Sequence, residues 1–299
     1  MQDRIVQTIR TIHDEATSNP ERHLYLLLDP ALEEFPAAGR EETHQTVRIW
    51  LKHPDIPDSK EPRLLEIPLL TTGEFLLHDS VERSMQEVLA ESRTGHKVRS
   101  ICAWYVSEDT AEELAAAISW FAWRNIDHQR RLIRCWDPRV LLALPDIAQL
   151  SCIPLNGVTG ICFFLDWQGN LVHRELAGSP QDEATWNLAR LLDLGLHNRL
   201  MQLSDLLAGK SWRDVSRNVW QAIDLARELG ASNEDDLYRL TRDLTQHGEL
   251  IRHSSEFLSI ITSMKQHPGG YGALTSELDA DDWTRMRSDG AKNLAPNNA

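Results

Sequence analysis

The sequence predicts a mixed α+β lobe followed by an all-helical lobe. Residues 1–180 are expected to form an α/β unit with a mainly mixed sheet flanked by helices. Residues 183–288 are expected to be helical, and 289–299 a disordered tail. Three observations lead to this. Short apolar runs alternate with helix-period stretches up to about Pro180. After Pro180 no strand-like run follows, and apolar residues step by three and four. The final stretch, DGAKNLAPNNA, has too little apolar content to order itself.

The elements follow in order. Ile5, Val6, Ile9 and Ile12 make one stripe of an N-terminal helix. HLYLLLD reads as a strand buried on both faces, ending in Asp29 and Pro30. TVRIWLK and LLEIPLL are further strands around the Pro-rich loop HPDIPDSKEP. Residues 74–92 read as a helix and VRSICAWYVS as a strand. Ser107 and Thr110 offer helix starts, and Glu113 stands three residues past Thr110 as in a capping box. RRLIRCW reads as a strand, and GICFFLD and NLVHREL as a hairpin turning at WQG with Asp166 in the turn. Four helical stripes then run from Trp186, Trp212, Leu237 and Leu250, the second closed by Gly230, and a short segment surrounds Trp283.

The 299 residues carry a net charge of −14, which argues against general binding of nucleic acid or anionic membrane. No apolar run approaches the ~20 residues of a membrane span. The start, MQDRIVQTIRTIHDE, reads as an amphipathic helix and not as a signal peptide. Cys102, Cys135, Cys152 and Cys162 lie in apolar runs without metal-ligand spacing, so buried reduced thiols are expected. Most of the ten tryptophans are expected in the core, with a few at a partner face.

Two apolar runs end in Asp-Pro, at Asp29–Pro30 and Asp137–Pro138. The residue before proline is pushed toward extended geometry, and proline suits the first helical position. Each aspartate therefore reads as a helix N-cap, worth ~0.5–2 kcal/mol. Arg139 sits near a helix N-terminus, against the dipole, and calls for a compensating carboxylate. Strand-end acids also serve enzymes, so a catalytic use of Asp29 and Asp137 with Arg139 stays open as an alternative. The sequence contains no nucleophile elbow, zinc-binding helix or dinucleotide fingerprint. GKS at 209–211 lacks the P-loop's leading glycine and reads as a helix stop at Gly209 followed by a cap at Ser211.

The order of these pieces carries a resemblance. LYLLLDPAL, the helix from Ser107 into Trp123, RLIRCWDPRVLLALPDIAQL, the hairpin GICFFLDWQGN and the helical C-terminal lobe together resemble the effector adaptor, or chaperone, family of the bacterial type VI secretion system (Tap/TEC-type adaptors). The motif residues are Trp136, Asp137, Pro138 and Arg139, with Trp136 where the family more often has tyrosine or phenylalanine. The resemblance spans about residues 23–175 by motif. It implies a cytoplasmic, non-enzymatic protein without cofactor or metal, whose partners are a toxic effector and the VgrG or PAAR spike protein. Asp29, Pro30 and the Trp-Asp-Pro-Arg motif are then structural or partner-contact residues.

Overall fold

The computed structural model describes residues 1–32, 46–69, 71–94, 99–126, 128–177, 186–203, 206 and 208–294. By internal contacts the chain divides into Met1–Leu194 and Gly195–Ala299. The boundary falls inside a helix, later than the change of pattern near Pro180, which itself lies outside the described residues.

The first unit is built on a six-stranded sheet of β1 (His23–Leu28), β2 (Thr46–Arg48), β3 (Arg63–Ile67), β4 (Ile101–Ser107), β7 (Gly160–Leu165) and β8 (Leu171–Leu176). Its order is β2-β3-β1-β4-β7-β8. Every paired neighbour is antiparallel, which corrects the expected mainly mixed sheet. A helical crossover does exist: β3 and β4 run the same way, joined by helix α2 (Thr71–Thr94). However, β1 is inserted between them and pairs antiparallel with both, giving a split β-α-β arrangement.

β1 and β4 are continuous apolar runs because both their faces are covered. Leu24, Leu26, Leu28, Trp104 and Val106 face a core shared with Ile5, Ile12 and Ala16 of α1 (Gln2–Thr17) and with Leu77, Val81 and Met85 of α2. The Trp104 indole also donates to Ser80 Oγ on α2, 2.9 Å. Helix α3 (Ala111–Ala122) starts at the expected capping box: Thr110 accepts from the Glu113 amide, and Glu113 returns to the Thr110 amide. The turn after β7 is held by Asp166 Oδ1, which accepts from the amides of Gln168 and Asn170 at 2.8 and 2.9 Å.

RRLIRCW is only in part a strand. β6 (Gln129–Leu132) pairs with β5 (Trp123–Ile126) in a separate two-stranded sheet, and Ile133–Trp136 leads out of it toward helix α4 (Pro138–Ala148). It does not lie beside β4, whose two neighbours are β1 and β7.

After β8 the described residues contain no further strand. α5 (Leu188–Met201) crosses the boundary between the units. The second unit continues with α6 (Trp212–Glu228), α7 (Glu234–His247), α8 (Ser255–Gln266), α9 (Tyr271–Thr275) and α10 (Ala280–Leu294). Ser211 precedes α6 at the cap position, but its side chain makes no capping bond. Gly230, at φ 95°, ends the following turn in the left-handed region that glycine tolerates best. Leu240, Leu244, Ile251, Phe257 and Met286 form the core of this unit. Buried Asp236 accepts the amides of Gly269 and Tyr271 at 2.6 and 2.9 Å, fixing the break between α8 and α9.

The expected tail is corrected as far as Leu294. Asp289–Leu294 are the last turns of α10, while 295–299 lie outside the described residues. Composition misled because the segment is ordered by packing and not by its own apolar content. Gly290 lies against the Leu250 carbonyl, and a Cβ built there would stand 1.9 Å from that oxygen. Gly290→Ala should cost about 1–3 kcal/mol, since the backbones must part to admit the methyl group. Urea denaturation is the check, and an unchanged midpoint would show that α10 does not dock there.

Cys102, Cys135 and Cys162 are buried and Cys152 is half-buried, all as free thiols. Burial pushes the Cys135 thiol up to about 12 and raises Cys102 and Cys162 as well. Under air-free conditions a thiol reagent should titrate Cys152 alone in the native protein. It should titrate all four cysteines in denaturant.

Candidate functional site: a buried ionic motif and a tryptophan–arginine cleft

The motif residues lie inside the first unit. Asp137 caps α4, with Pro138 in the first turn, and accepts the Arg139 amide at 2.9 Å. The guanidinium of Arg139 folds back onto the same carboxylate, Nε to Oδ1 at 2.8 Å and Nη2 to Oδ2 at 2.6 Å. Its Nη1 reaches Glu91 of α2 at 3.1 Å, and the other Glu91 oxygen takes Arg99 Nε at 2.6 Å. All four side chains are buried, so this is one run of charges, acid–base–acid–base, out of water. Arg139 is therefore compensated from two sides, as its position against the helix dipole requires. Burial alone would raise the Asp137 carboxyl, but the bonds and charge of Arg139 overcome this and hold it below the usual carboxylate range.

Asp29 plays a different part from the one its Asp-Pro context suggested. Pro30–Leu32 form a turn, so Asp29 caps no helix among the described residues. Its Oδ1 accepts the Ala31 amide at 3.0 Å. Its Oδ2 accepts the Trp136 indole at 2.7 Å and also takes Arg134. The two Asp-Pro stretches thus meet, with Trp136 binding one aspartate and preceding the other. Just outside them Glu87 accepts Ser100 Oγ and the Ile101 amide, and burial raises its carboxyl despite those bonds.

A second feature was not visible in the sequence. An open cleft of about 770 Å³ lies between the segment after β2 and the end of α3 with the β5–β6 hairpin. Trp50, Trp120 and Trp123 line it, the first two 53% and 44% exposed. Five of the ten tryptophans are buried, fewer than expected, Trp123, Trp186 and Trp212 are half-buried, and these two stand out as exposed.

The cleft wall is tied down through its backbone. Buried Glu61 accepts the amides of Leu51 and Lys52 at 2.7 and 3.1 Å. From the other side, Ser119 Oγ donates to the Trp50 carbonyl at 2.6 Å and the Trp123 indole to the Leu51 carbonyl at 2.8 Å. The result holds Lys52 at φ 51°, a conformation that side chains rarely adopt. Each ring carries a guanidinium over it: Arg48 lies 3.6 Å from the Trp50 centroid, Arg124 4.3 Å from Trp120, and Arg130 4.5 Å from Trp123. Burial lowers the pKa of the Arg124 guanidinium, which stays charged.

No helix among the described residues is long and apolar enough to cross a membrane. No family model matches the chain, and no curated protein or solved structure shows a significant match.

The buried run sets the cost of breaking the motif. Asp137→Ala removes a cap and strands a buried guanidinium, so the loss should be about 3–5 kcal/mol, more than a cap alone. Arg139→Ala should cost a similar amount. The double variant should lose less than the sum, because the two changes remove one interaction. The sign with pH follows from the lowered Asp137 carboxyl. The stability that its ionised form provides is complete above its ordinary value of 3.8 and drains away as pH falls through the lower folded value. Urea titrations at pH 7 and in steps below pH 4 measure both effects; an advantage over Asp137→Ala that grows on acidification contradicts the assignment.

Proposed function

We propose that the chain is a non-enzymatic adaptor of the type VI secretion system. In this reading it holds a toxic effector in the bacterial cytoplasm and loads it onto the VgrG or PAAR spike. The observation that carries the reading is the tryptophan–arginine cleft. Tryptophan and arginine are the residues most enriched at interface hot spots, and here they stand together, exposed, on a backbone fixed by Glu61, Ser119 and Trp123. The Trp-Asp-Pro-Arg motif supports it from the inside: its charged side chains are engaged in hydrogen bonds within the fold, where they position α4 against α2.

The alternative of an enzyme using Asp29, Asp137 and Arg139 gains nothing from the geometry. All three are buried, and each is bonded to neighbours of its own chain. A substrate would have to displace those bonds to reach them.

Affinity capture from a secreting strain tests the proposal. The wild-type chain should retain a large toxin and the spike protein. Trp50→Ala/Trp120→Ala should melt like wild type, because both rings are exposed, yet retain at least about tenfold less of one partner. Recovery of neither partner from an actively secreting culture would sink the adaptor reading.

A further inference from the structure

The geometry points to an acidic protein segment, carrying carboxylates beside apolar side chains, as the occupant of the tryptophan–arginine cleft. Charge is the first ground. The chain as a whole is at −14, yet Arg48, Lys52, Arg124 and Arg130 line the cleft against a single carboxylate, Glu112. Arg48 is paired with Asp58 and Glu61, but Lys52, Arg124 and Arg130 have no carboxylate partner among the described residues. Three unpaired cations beside one another repel, and an anionic ligand relieves that repulsion.

The stacking is the second ground, and it selects among anions. A guanidinium lying over a ring keeps its N–H groups directed outward in its own plane. Arg48 already spends such groups on Asp58 and Glu61, and Arg124 Nη1 donates to the Trp120 and Trp123 carbonyls, so among the described residues Arg130 is the one of the three left to take a carboxylate side-on over its ring. A nucleic-acid base needs the opposite: a bare aromatic face to lie on. Here each of the three rings already has a guanidinium over one face. The exposed edges of Trp50 and Trp120 remain for apolar side chains of the ligand.

This inference rests on the adaptor reading only in taking the occupant to be a protein. Fluorescence anisotropy with three probes tests it: a labelled decapeptide of glutamates among leucines and prolines, its copy with lysine for each glutamate, and an oligothymidylate of ten nucleotides. The acidic peptide should bind, the lysine copy should not, and rising salt should weaken binding. Lys52→Glu/Arg130→Glu, at two exposed positions, should lower affinity at least about tenfold with an unchanged melting temperature. Trp50→Ala supplies a second variant that removes ring and not charge. Equal binding of both peptides, or an unaffected double variant, overturns the inference. Tighter binding of the oligothymidylate replaces it with a single-strand site. A dimer in sedimentation that Trp50→Ala dissolves replaces it with a second copy of the chain. Peptide binding without recovery of effector or spike defeats the adaptor reading alone; effector recovery without peptide binding defeats this inference alone.

Discussion

The run Asp137–Arg139–Glu91–Arg99 is the constraint on which the first unit depends. It joins the first turn of α4, the far end of α2 and the residues entering β4, three places remote in sequence. Buried ion pairs are poor sources of net stability, because desolvation offsets most of the attraction. What they supply here is placement. Two acids alternate with two bases, so the run is neutral as a whole but tolerates no shift of one residue. An apolar helix such as α4, with nine of its eleven residues buried, could slide or rotate on a greasy surface; the charges at its start pin it.

Asp29 extends the same logic to the neighbouring strand. Its carboxylate takes the Trp136 indole, so the end of β1 is tied to the residue just before the α4 cap. The apolar core between β1, β4, α1 and α2 supplies the bulk of the burial, and these few polar bonds settle how the pieces meet.

What could be read from the sequence was local. The capping box at Thr110, the Asp137 cap with Pro138, and the Asp166 turn each rest on residues within four positions of one another. Their chemistry is complete in a short window, so a short window reveals it. The partners of Arg139 and Trp136 are of another kind: Glu91 lies 48 residues away and Asp29 107. Nothing in the helical pattern of residues 74–92 singles out Glu91. The antiparallel sheet was missed for a similar reason, since the insertion of β1 between β3 and β4 is a fact of topology and leaves no local trace. RLIRCW was misread because its apolar run is a path into the core and not a place in the main sheet. Glu61 sat in a stretch that looked like plain Pro-rich loop, and the cleft it shapes was invisible with it.

The cleft divides its tryptophans into two classes. Trp123 uses its indole N–H to hold the Leu51 carbonyl, so it belongs to the scaffold as well as to the surface. Trp50 and Trp120 are open to solvent, and the bonds that fix their neighbourhood run through backbone carbonyls and amides. A wall held by its main chain is indifferent to the letters written on it. The side chains at 50 and 120 can therefore be exchanged while Glu61, Ser119 and Trp123 stay in place, whereas Arg48 answers buried Glu61 and Lys52 sits at φ 51°, so those two positions are tied to the fold. In this molecule the open rings of the cleft and the bonds that hold its wall are written in different residues, and selection can revise the first without reopening the second.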